Sequence, residues 1–534
     1  MSAPRPAAVI VLAAGEGTRM KSRRPKVLHT LGGRSLVGHA IAAVRGAAPL
    51  HLVVVVRHER ALVAEHIADI DPAAVIADQD DVKGTGRAVE CGLGVLPADL
   101  DGTVLVTYGD VPLLQTDTLL DLLDVHTSSA SAVTVITARL DDPTGYGRIL
   151  RDADGTVAGI VEQKDATEEQ RAITEINSGL YAFDAAVLRA ALSEVGTDNA
   201  QGEKYLTDVL AITRGRGLRV SGHLIDDLWQ TEGVNDKVQL SRLGVELNRR
   251  TVDRAMRDGA IVIDPASTWI DAEVTIGQDT TIHPHTQLHG VTTIGADCTI
   301  GPDTTLTDVE IGDGASVVRT QALLAVIGAG ASVGPFSYLR PGTELGARGR
   351  IGGFVETKNA RIGPGAKVPH LTYAGDVTIG KGANIGAGTI FANYDGVTKH
   401  ASSVGAHSFV GSNSVLVAPV DIADGAYVGA GSAVTQDVGP GEIGITRARQ
   451  RNVAGWVARR RAGTRTAAAA EAALARGDTM TQGEATQEQA HPQATQEPAT
   501  QDRATQAQAP QRQGTPDVEP AARHTDQAEE GARS

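Results

Sequence analysis

The chain is poor in cysteine, in aromatic residues and in long apolar runs, and each shortage closes off a class of protein. Two cysteines in 534 residues, Cys91 and Cys298, cannot build a disulfide framework, which points to a reducing, cytoplasmic setting. The longest N-terminal apolar run, Ala7 to Ala14, is too short for a signal peptide with normal flanks, and nothing later is long enough to span a membrane. Positive charge is not in excess either. A formal net charge of −15 argues against nucleic acid or an anionic membrane surface as the main partner. Any anionic substrate must therefore be met by local clusters of cations. What remains is a chain long enough for about two or three domains with sizeable cores.

Its pattern changes four times. Over residues 1–235, short β-branched runs such as Leu52 to Val56, Thr103 to Thr107 and Ala132 to Thr137 alternate with helical stretches such as Leu36 to Arg45 and Leu119 to His126. That alternation predicts a mostly parallel sheet covered by helices, with ligands at the carboxyl ends of the strands. Residues 236–260 read as one connecting helix, with Val238, Leu243, Leu247, Val252 and Met256 at roughly helical spacing and Gly259 as a stop. Over residues 261–456 an aliphatic residue followed by glycine recurs, as at Ile276, Ile294, Ile300, Ile327, Val333, Ile351, Ile379, Ile385, Val404, Val410 and Val428. Separations of 6 or 18 are frequent, the hexapeptide signature of a parallel β-helix whose aliphatic residues fill a prism-like core. The phase slips between Ile351 and Ile379 and between Ile385 and Val404, which predicts bulges or protruding loops there. Residues 457–477 form a basic extension in which Ala467 to Ala475 suits a short helix. Residues 478–534, rich in Gln, Thr, Ala, Pro and Glu and without aromatics, are expected to be disordered.

Chemistry enters at Val11-Leu12-Ala13-Ala14-Gly15-Glu16-Gly17-Thr18-Arg19-Met20 and Pro25-Lys26-Val27-Leu28. A buried strand empties into a loop with two glycines, where backbone amides can approach an anion, and Arg19 and Lys26 add two cations. The spacing fits neither a Walker loop nor a dinucleotide fingerprint, whose third glycine is replaced by Met20. The pattern resembles the sugar-nucleotidyltransferases, in which this loop grips a nucleoside triphosphate.

Taken with the hexapeptide repeat, the stretch from Ala8 to about Trp456 resembles the bacterial bifunctional family that is both UDP-N-acetylglucosamine pyrophosphorylase and glucosamine-1-phosphate N-acetyltransferase. The resemblance implies a Rossmann-like nucleotidyltransferase domain, a left-handed parallel β-helix and a homotrimer. It also implies UTP, glucosamine-1-phosphate and acetyl-CoA as small-molecule partners and Mg²⁺ as cofactor. Within the first domain, Arg19 and Lys26 would stabilise the transferring phosphoryl group, and Leu12, Ala13, Ala14 and Gly15 would line the nucleotide. Asp110, in Tyr108-Gly109-Asp110, and Asn235 would ligate the metal. Gln79 with Gly84 and Thr85 would read uracil, while Gly145, Glu162 and Asn177 would hold the sugar. A buried Glu and Asn can pair several hydroxyls and an acetamide, and so reject analogues that lack them.

For the solenoid the resemblance implies His370, in Pro369-His370-Leu371-Thr372-Tyr373, as the base that accepts the amine proton. Arg340, Lys358, Tyr373, Asn384 and Lys399 would hold glucosamine-1-phosphate. Asn393 and Tyr394, in Asn393-Tyr394-Asp395-Gly396, match the acetyl-transfer loop, and Ala387, Ser412, Ala430 and Arg447 match acetyl-CoA contacts. Arg447, Arg449 and Arg451 make a basic cluster suited to CoA phosphates. Neither cysteine lies in a matching active-site motif, so transfer is expected to be direct, without an acyl-enzyme. Two other readings stay open at this level. One is a pyrophosphorylase whose β-helix is only structural or regulatory, and the other is a non-catalytic scaffold.

Overall fold

The structure is a computed structural model that describes residues 5–153, 155–199 and 201–477; the tail 478–534 lies outside the described residues. Residues up to Asn452 form one compact unit and those from Val453 a second.

The N-terminal part is built on a sheet whose strands follow the order Val220–Leu224, Val133–Arg139, Glu175–Asp184, Thr103–Tyr108, Ala8–Leu12, His51–Val56 and Val75–Asp78. The Ala8–Leu12 strand runs parallel to both of its neighbours and is wholly buried. Its alternate residues therefore supply opposite faces: Ile10 joins Val53 and Val104 in one apolar cluster, while Val9 and Val11 join Val54 and Leu105 in the other. The sheet is less parallel than the sequence pattern implies. Glu175–Asp184 runs antiparallel to both partners, and Arg148–Arg151 pairs antiparallel with Val157–Val161. These strands carry polar and glycine positions that blur their apolar period. They lie on the side of the sheet opposite His51–Val56, and the chain reverses direction of travel across the sheet at Ala8–Leu12, where ligand crevices form in such folds.

One long helix, Lys237–Arg257, leads into the solenoid. Asp236 caps it by accepting from Val238 N and Gln239 N. Leu243 packs with Leu31, Leu36 and Val234 of the first domain, whereas Val252 joins the solenoid core beside Val262 and Ile270. Val238 instead faces solvent in the first turn. Asn248 seals the open end of the first coil, donating to the Thr268 carbonyl at 2.7 Å and accepting from Ile270 N at 2.9 Å.

From Ile261 the chain winds as short parallel strands, each hydrogen-bonded to the strand one coil on. The aliphatic positions of the repeat stack into one continuous core from Val262 to Val438. The glycine after each aliphatic residue serves mainly close approach between coils rather than corner geometry. A Cβ on Gly277 would stand 2.5 Å from Ala296 N. Left-handed corners are also occupied by other residues, among them Asp279, His285, Asp297, Phe336 and Leu371. The two phase slips differ in kind. Between Ile351 and Ile379 the coils are merely one residue shorter, Ile362 pairing with Ile379 and Lys367 with Asn384, and no loop leaves the solenoid. Between Ile385 and Val404 the added length emerges as a hairpin closed by Tyr394 and Lys399.

In the second unit, Trp456–Arg460 and Arg465–Ala475 are helical, the latter capped by Thr464, which accepts from Ala467 N. Among the described residues no helix is long and apolar enough to cross a membrane.

Candidate active sites

The carboxyl ends of Ala8–Leu12, His51–Val56 and Thr103–Tyr108 open onto a cleft of about 490 Å³. Ten of the sequence-assigned residues line it: Leu12, Ala13, Ala14, Gly15, Lys26, Gln79, Gly84, Thr85, Tyr108 and Asp110. The glycine loop is pinned at both flanks, Ala13 N donating to the Val55 carbonyl and Gly109 N to the Leu12 carbonyl. Gly17 has φ +62°, and a Cβ there would lie 2.6 Å from Lys26 Cβ. Only glycine lets the loop fold down against the lysine stem.

At the mouth of the cleft two cations meet the two sequence-assigned metal ligands. The Lys26 ammonium forms a close ion pair with the Asp110 carboxylate, and an Arg19 guanidinium nitrogen donates to Asn235 Oδ1 at 2.8 Å. Val234 N donates to the Asp110 carbonyl at 2.9 Å, and a Cβ on Gly233 would stand 3.6 Å from either Asp110 carboxylate oxygen. The segment before the long helix is thus laid against the segment after Thr103–Tyr108. Asn235 is itself held by its backbone N–H on Gln239 Oε1. A carboxylate and an amide oxygen side by side suit a hard divalent cation, with substrate phosphates and water completing its shell. Among the described residues no group of three or more His, Cys, Asp or Glu is placed to hold a metal ion.

The residues that the sequence assigns to base recognition are arranged by backbone contacts. Gln79 Nε2 donates to the Val82 and Gly84 carbonyls, which leaves its carbonyl oxygen as the acceptor available to a ligand N–H. Thr85 Oγ1 accepts from Leu206 N, and Gly86 N donates to the Lys204 carbonyl. Gly145, Glu162 and Asn177 lie outside the lining of this cleft, but they belong together. A Cβ on Gly147 would be 3.5 Å from both Asn177 Cβ and Glu162 Oε1, and Gly145 N donates to Gln163 Oε1. Asn177 Oδ1 accepts from Gly179 N and from the Tyr181 hydroxyl, freeing its amide N–H groups for a ligand. Burial raises the Glu162 pKa above the usual carboxylate range. Tyr108 joins the two regions, since burial and the nearby Glu162 and Asp110 carboxylates push its phenol pKa upward.

The solenoid candidates sort onto two surfaces. On one face Arg340 N donates to the Thr357 carbonyl, and Lys358 pairs in register with Gly375. Lys399 and Arg340 crowd Lys358 and lower its pKa, while Asp376 opposes them. Tyr373 begins the next strand, and its hydroxyl accepts from Asn393 Nδ2 at 3.4 Å. Gly375 makes this possible, because a Cβ there would sit 2.3 Å from the Tyr373 hydroxyl and 2.8 Å from Asn393 Nδ2. Asn384 lies on a different face, paired with Lys367 and Phe409.

Along one edge of the prism runs a column. The His370 carbonyl accepts from Gly388 N, the Ala387 carbonyl from Asn413 N and the Ser412 carbonyl from Gly431 N. Ala430 precedes Gly431, whose Cβ position is 3.8 Å from Arg447 Cδ. His370, Ala387, Ser412, Ala430 and Arg447 therefore descend one per coil, spanning roughly 19 Å at sheet spacing. A column of that length can lie along an extended, elongated ligand. His370 has its backbone carbonyl fixed by Thr372 Oγ1 and Gly388 N while its ring stays exposed.

Comparison with known proteins finds relatives of both halves of the chain. Residues 9–173 match the MobA-like NTP transferase domain, residues 273–308 the bacterial transferase hexapeptide (six repeats), and residues 402–436 the hexapeptide repeat of succinyl-transferase. The chain is 59% identical over 471 residues to the bifunctional protein GlmU of Pseudarthrobacter chlorophenolicus, covering 88% of this chain and 96% of that one. Against GlmU of Kineococcus radiotolerans the identity is 59% over 468 residues, 88% of this chain and 95% of the relative. Against GlmU of Mycolicibacterium gilvum it is 56% over 470 residues, 87% and 94%. The chain belongs to the bifunctional GlmU family.

Some residues of this family member's sites escaped sequence reasoning. Arg57 and Lys83 bring further positive charge to the cleft at the strand ends, and Glu16 and Glu203 line it as well. Arg57 follows the His51–Val56 strand directly, so the strand-end rule alone points to it. In the solenoid, Asp376 accepts from Asn393 Nδ2 at 2.5 Å and from Asn359 Nδ2 at 2.9 Å. No motif signals it, because its role depends on which coils become neighbours.

Proposed function

We propose that the two halves catalyse consecutive steps toward UDP-N-acetylglucosamine. In the solenoid the amine of glucosamine-1-phosphate attacks the acetyl-CoA thioester carbonyl. The new C–N bond forms, the C–S bond breaks, and the amine proton passes to His370, which returns it to the leaving sulfur so that CoA departs as the thiol. Arg340, Lys358, Tyr373 and Lys399 hold the sugar phosphate; Asn384, assigned to the same ligand, approaches it from a different face of the solenoid. Asn393 and Tyr394 stand at the transferring acetyl group, and Ala387, Ser412, Ala430 and Arg447 carry the CoA arm. In the N-terminal domain a phosphate oxygen of N-acetylglucosamine-1-phosphate attacks the α-phosphorus of UTP, and the bond to the β-phosphate oxygen breaks to release pyrophosphate. Arg19 and Lys26 neutralise charge on the phosphoryl oxygens, and Gly15 and its neighbours cradle the phosphates. Bound between Asp110, Asn235 and the nucleotide, Mg²⁺ would supply Lewis-acid stabilisation of the phosphates.

The observation that carries this reading is that each half holds its own cationic site. Arg19 and Lys26 meet Asn235 and Asp110 in one, and Arg340, Lys358 and Lys399 cluster in the other. We assign uridylyl transfer to residues 1–235 and acetyl transfer to residues 261–456, in a cytoplasmic enzyme. A homotrimer is the assembly we favour. The exposed, stacked Phe336 and Phe354 with Leu371 beside them, next to His370, support it as an apolar strip open to a second copy. The test is thiol release from acetyl-CoA without UTP. Release that depends on glucosamine-1-phosphate is the expected result; its absence from folded protein leaves a pyrophosphorylase with a structural solenoid.

A further inference from the structure

The hairpin that leaves the solenoid at residues 393–400 has nothing apolar to hold it. Val397 at its tip is 89% exposed, and Tyr394 is 58% exposed. Its order comes from polar contacts, three of which converge on one carboxylate, while the Tyr394 hydroxyl donates to the Gly396 carbonyl. Asp395 Oδ1 accepts from Val397 N at 2.8 Å and Thr398 N at 2.7 Å, and Oδ2 accepts from His400 Nε2 at 2.8 Å. The Asp395 N–H returns to the Thr398 carbonyl at 3.2 Å. One side chain thus closes the turn and clips it to the far leg. At the root, His400 N donates to the Asn393 carbonyl and Asn393 Nδ2 donates to Asp376. Between root and clip stand Tyr394 and Lys399, facing each other across an antiparallel bridge.

We propose that Asp395, with His400 as its partner, is the positioning residue for the acetyl-transfer loop, holding Tyr394 and above all Lys399 where the sugar phosphate binds. The inference rests on the reading of the solenoid as the acetyltransferase. Lys399 sits within reach of Lys358, a juxtaposition of like charges that a loose hairpin would relieve by swinging away. The clip opposes that, and it does so with an ionised acceptor, whose hydrogen bonds are among the stronger kind. These same donors depress the Asp395 pKa to about 2, so the carboxylate stays ionised through the neutral range. All three of its strong contacts point into the hairpin, so Asp395 acts through Lys399 rather than on substrate.

The test is steady-state thiol release with full-length wild type, Asp395→Ala, Asp395→Asn, His400→Gln, Lys399→Ala and the Asp395→Ala/Lys399→Ala double variant. Uridylyl transfer in the same preparations reports folding. Asp395→Ala should raise KM for glucosamine-1-phosphate on the order of tenfold, with a smaller effect on kcat. Asp395→Asn keeps an acceptor for the two turn amides and should recover most of the loss, and Gln at 400 should substitute for the imidazole donor. On the Lys399→Ala background, Asp395→Ala should add little, because the two residues act as one unit. An unchanged KM in Asp395→Ala overturns the proposal, as does full multiplication of the two effects in the double variant. Absence of sugar-dependent thiol release in wild type overturns the acetyltransferase reading itself and the proposal with it.

Discussion

The two halves of this chain build their sites in opposite ways. The α/β half gathers loops from the ends of three neighbouring strands around a cleft, so its ligating groups face one another across a cavity in a single chain. The solenoid is a repeating rod whose coils present the same edge again and again, and its candidates lie along that edge or on an adjoining face. Loops in the first half are fixed by pairing with strand-end carbonyls, as Ala13 and Gly109 are. In the second half, position comes from coil register, and an exposed hairpin supplies what register cannot. A cleft encodes its site in where strands end; a solenoid encodes it in which coils are neighbours.

Cutting the two apart gives the largest effects. His370→Ala should lower acetyl transfer by ~10²–10⁴-fold, the span of a lost general base, with uridylyl transfer untouched. Asp110→Ala should do the converse, lowering uridylyl transfer by on the order of 10²–10³-fold and freeing Lys26 of its ion pair. Assaying both reactions on each variant checks the separation. If one substitution silences both steps in a folded protein, the two-site account fails. Mg²⁺ removal with a chelator should act as Asp110→Ala does, stopping pyrophosphate release while thiol release continues.

That contrast also explains what the sequence could disclose. The Ala8–Leu12 strand, the glycine loop and the hexapeptide core are each signalled by local pattern, because a buried strand, a tight turn and a repeated aliphatic residue all leave their mark within a few positions. The resemblance then named residues that the fold does bring together, such as Lys26 with Asp110 and Tyr373 with Asn393. Less was legible where meaning depends on distant pairing. The antiparallel strand Glu175–Asp184 was hidden by its polar and glycine positions. The slip between Ile351 and Ile379 proved to be shorter coils rather than a loop, since a sequence separation alone does not say where the missing residue was taken out. Arg57 is marked only by following a buried strand, and Asp376 and Lys83 carry no motif at all, so that only their neighbours give them a part.

A smaller change tests the register argument. Gly375→Ala places a methyl 2.3 Å from the Tyr373 hydroxyl and 2.8 Å from Asn393 Nδ2, contacts that force both side chains aside. The expected result is a several-fold rise in KM for glucosamine-1-phosphate, about 1 kcal/mol of lost binding, without loss of the core that Ala374 and Val377 share. The matching change in the other half, Gly17→Ala, drives a Cβ against Lys26 and a left-handed turn into strain. It should weaken UTP binding and leave acetyl transfer alone.

The last difference between the halves is electrostatic, and it shows on acidification. In the solenoid the buried polar side chains are Thr, Ser and Asn, which bind no proton in the working range. The α/β half and its junction with the helix bury groups that do. His39 is 7% exposed, its Nε2–H donates to the Leu31 carbonyl, and burial pushes its pKa from 6.5 down to about 4. Below pH 6.5 the unfolded chain takes up a proton that the folded one refuses, so stability falls as pH drops and stops falling below the folded value. The full loss is on the order of 3 kcal/mol. Asp227 and Glu246 add to it lower down. Their pKa values are depressed by ion pairing, Asp227 with Arg250 and Glu246 with Arg249 and Arg250. Their stabilisation is therefore complete above the ordinary carboxylate range and is lost as pH falls through their folded values. Thermal melts between pH 7 and 4.5, followed by the two activities after brief exposure, should show uridylyl transfer failing before acetyl transfer. His39→Gln keeps a donor for Leu31 and removes the titration, so it should flatten the pH dependence of the first loss and leave the second where it was. If the two activities fade together in wild type, the halves do not melt independently, and the long helix through Leu243 and Val252 couples them more tightly than their separate cores imply.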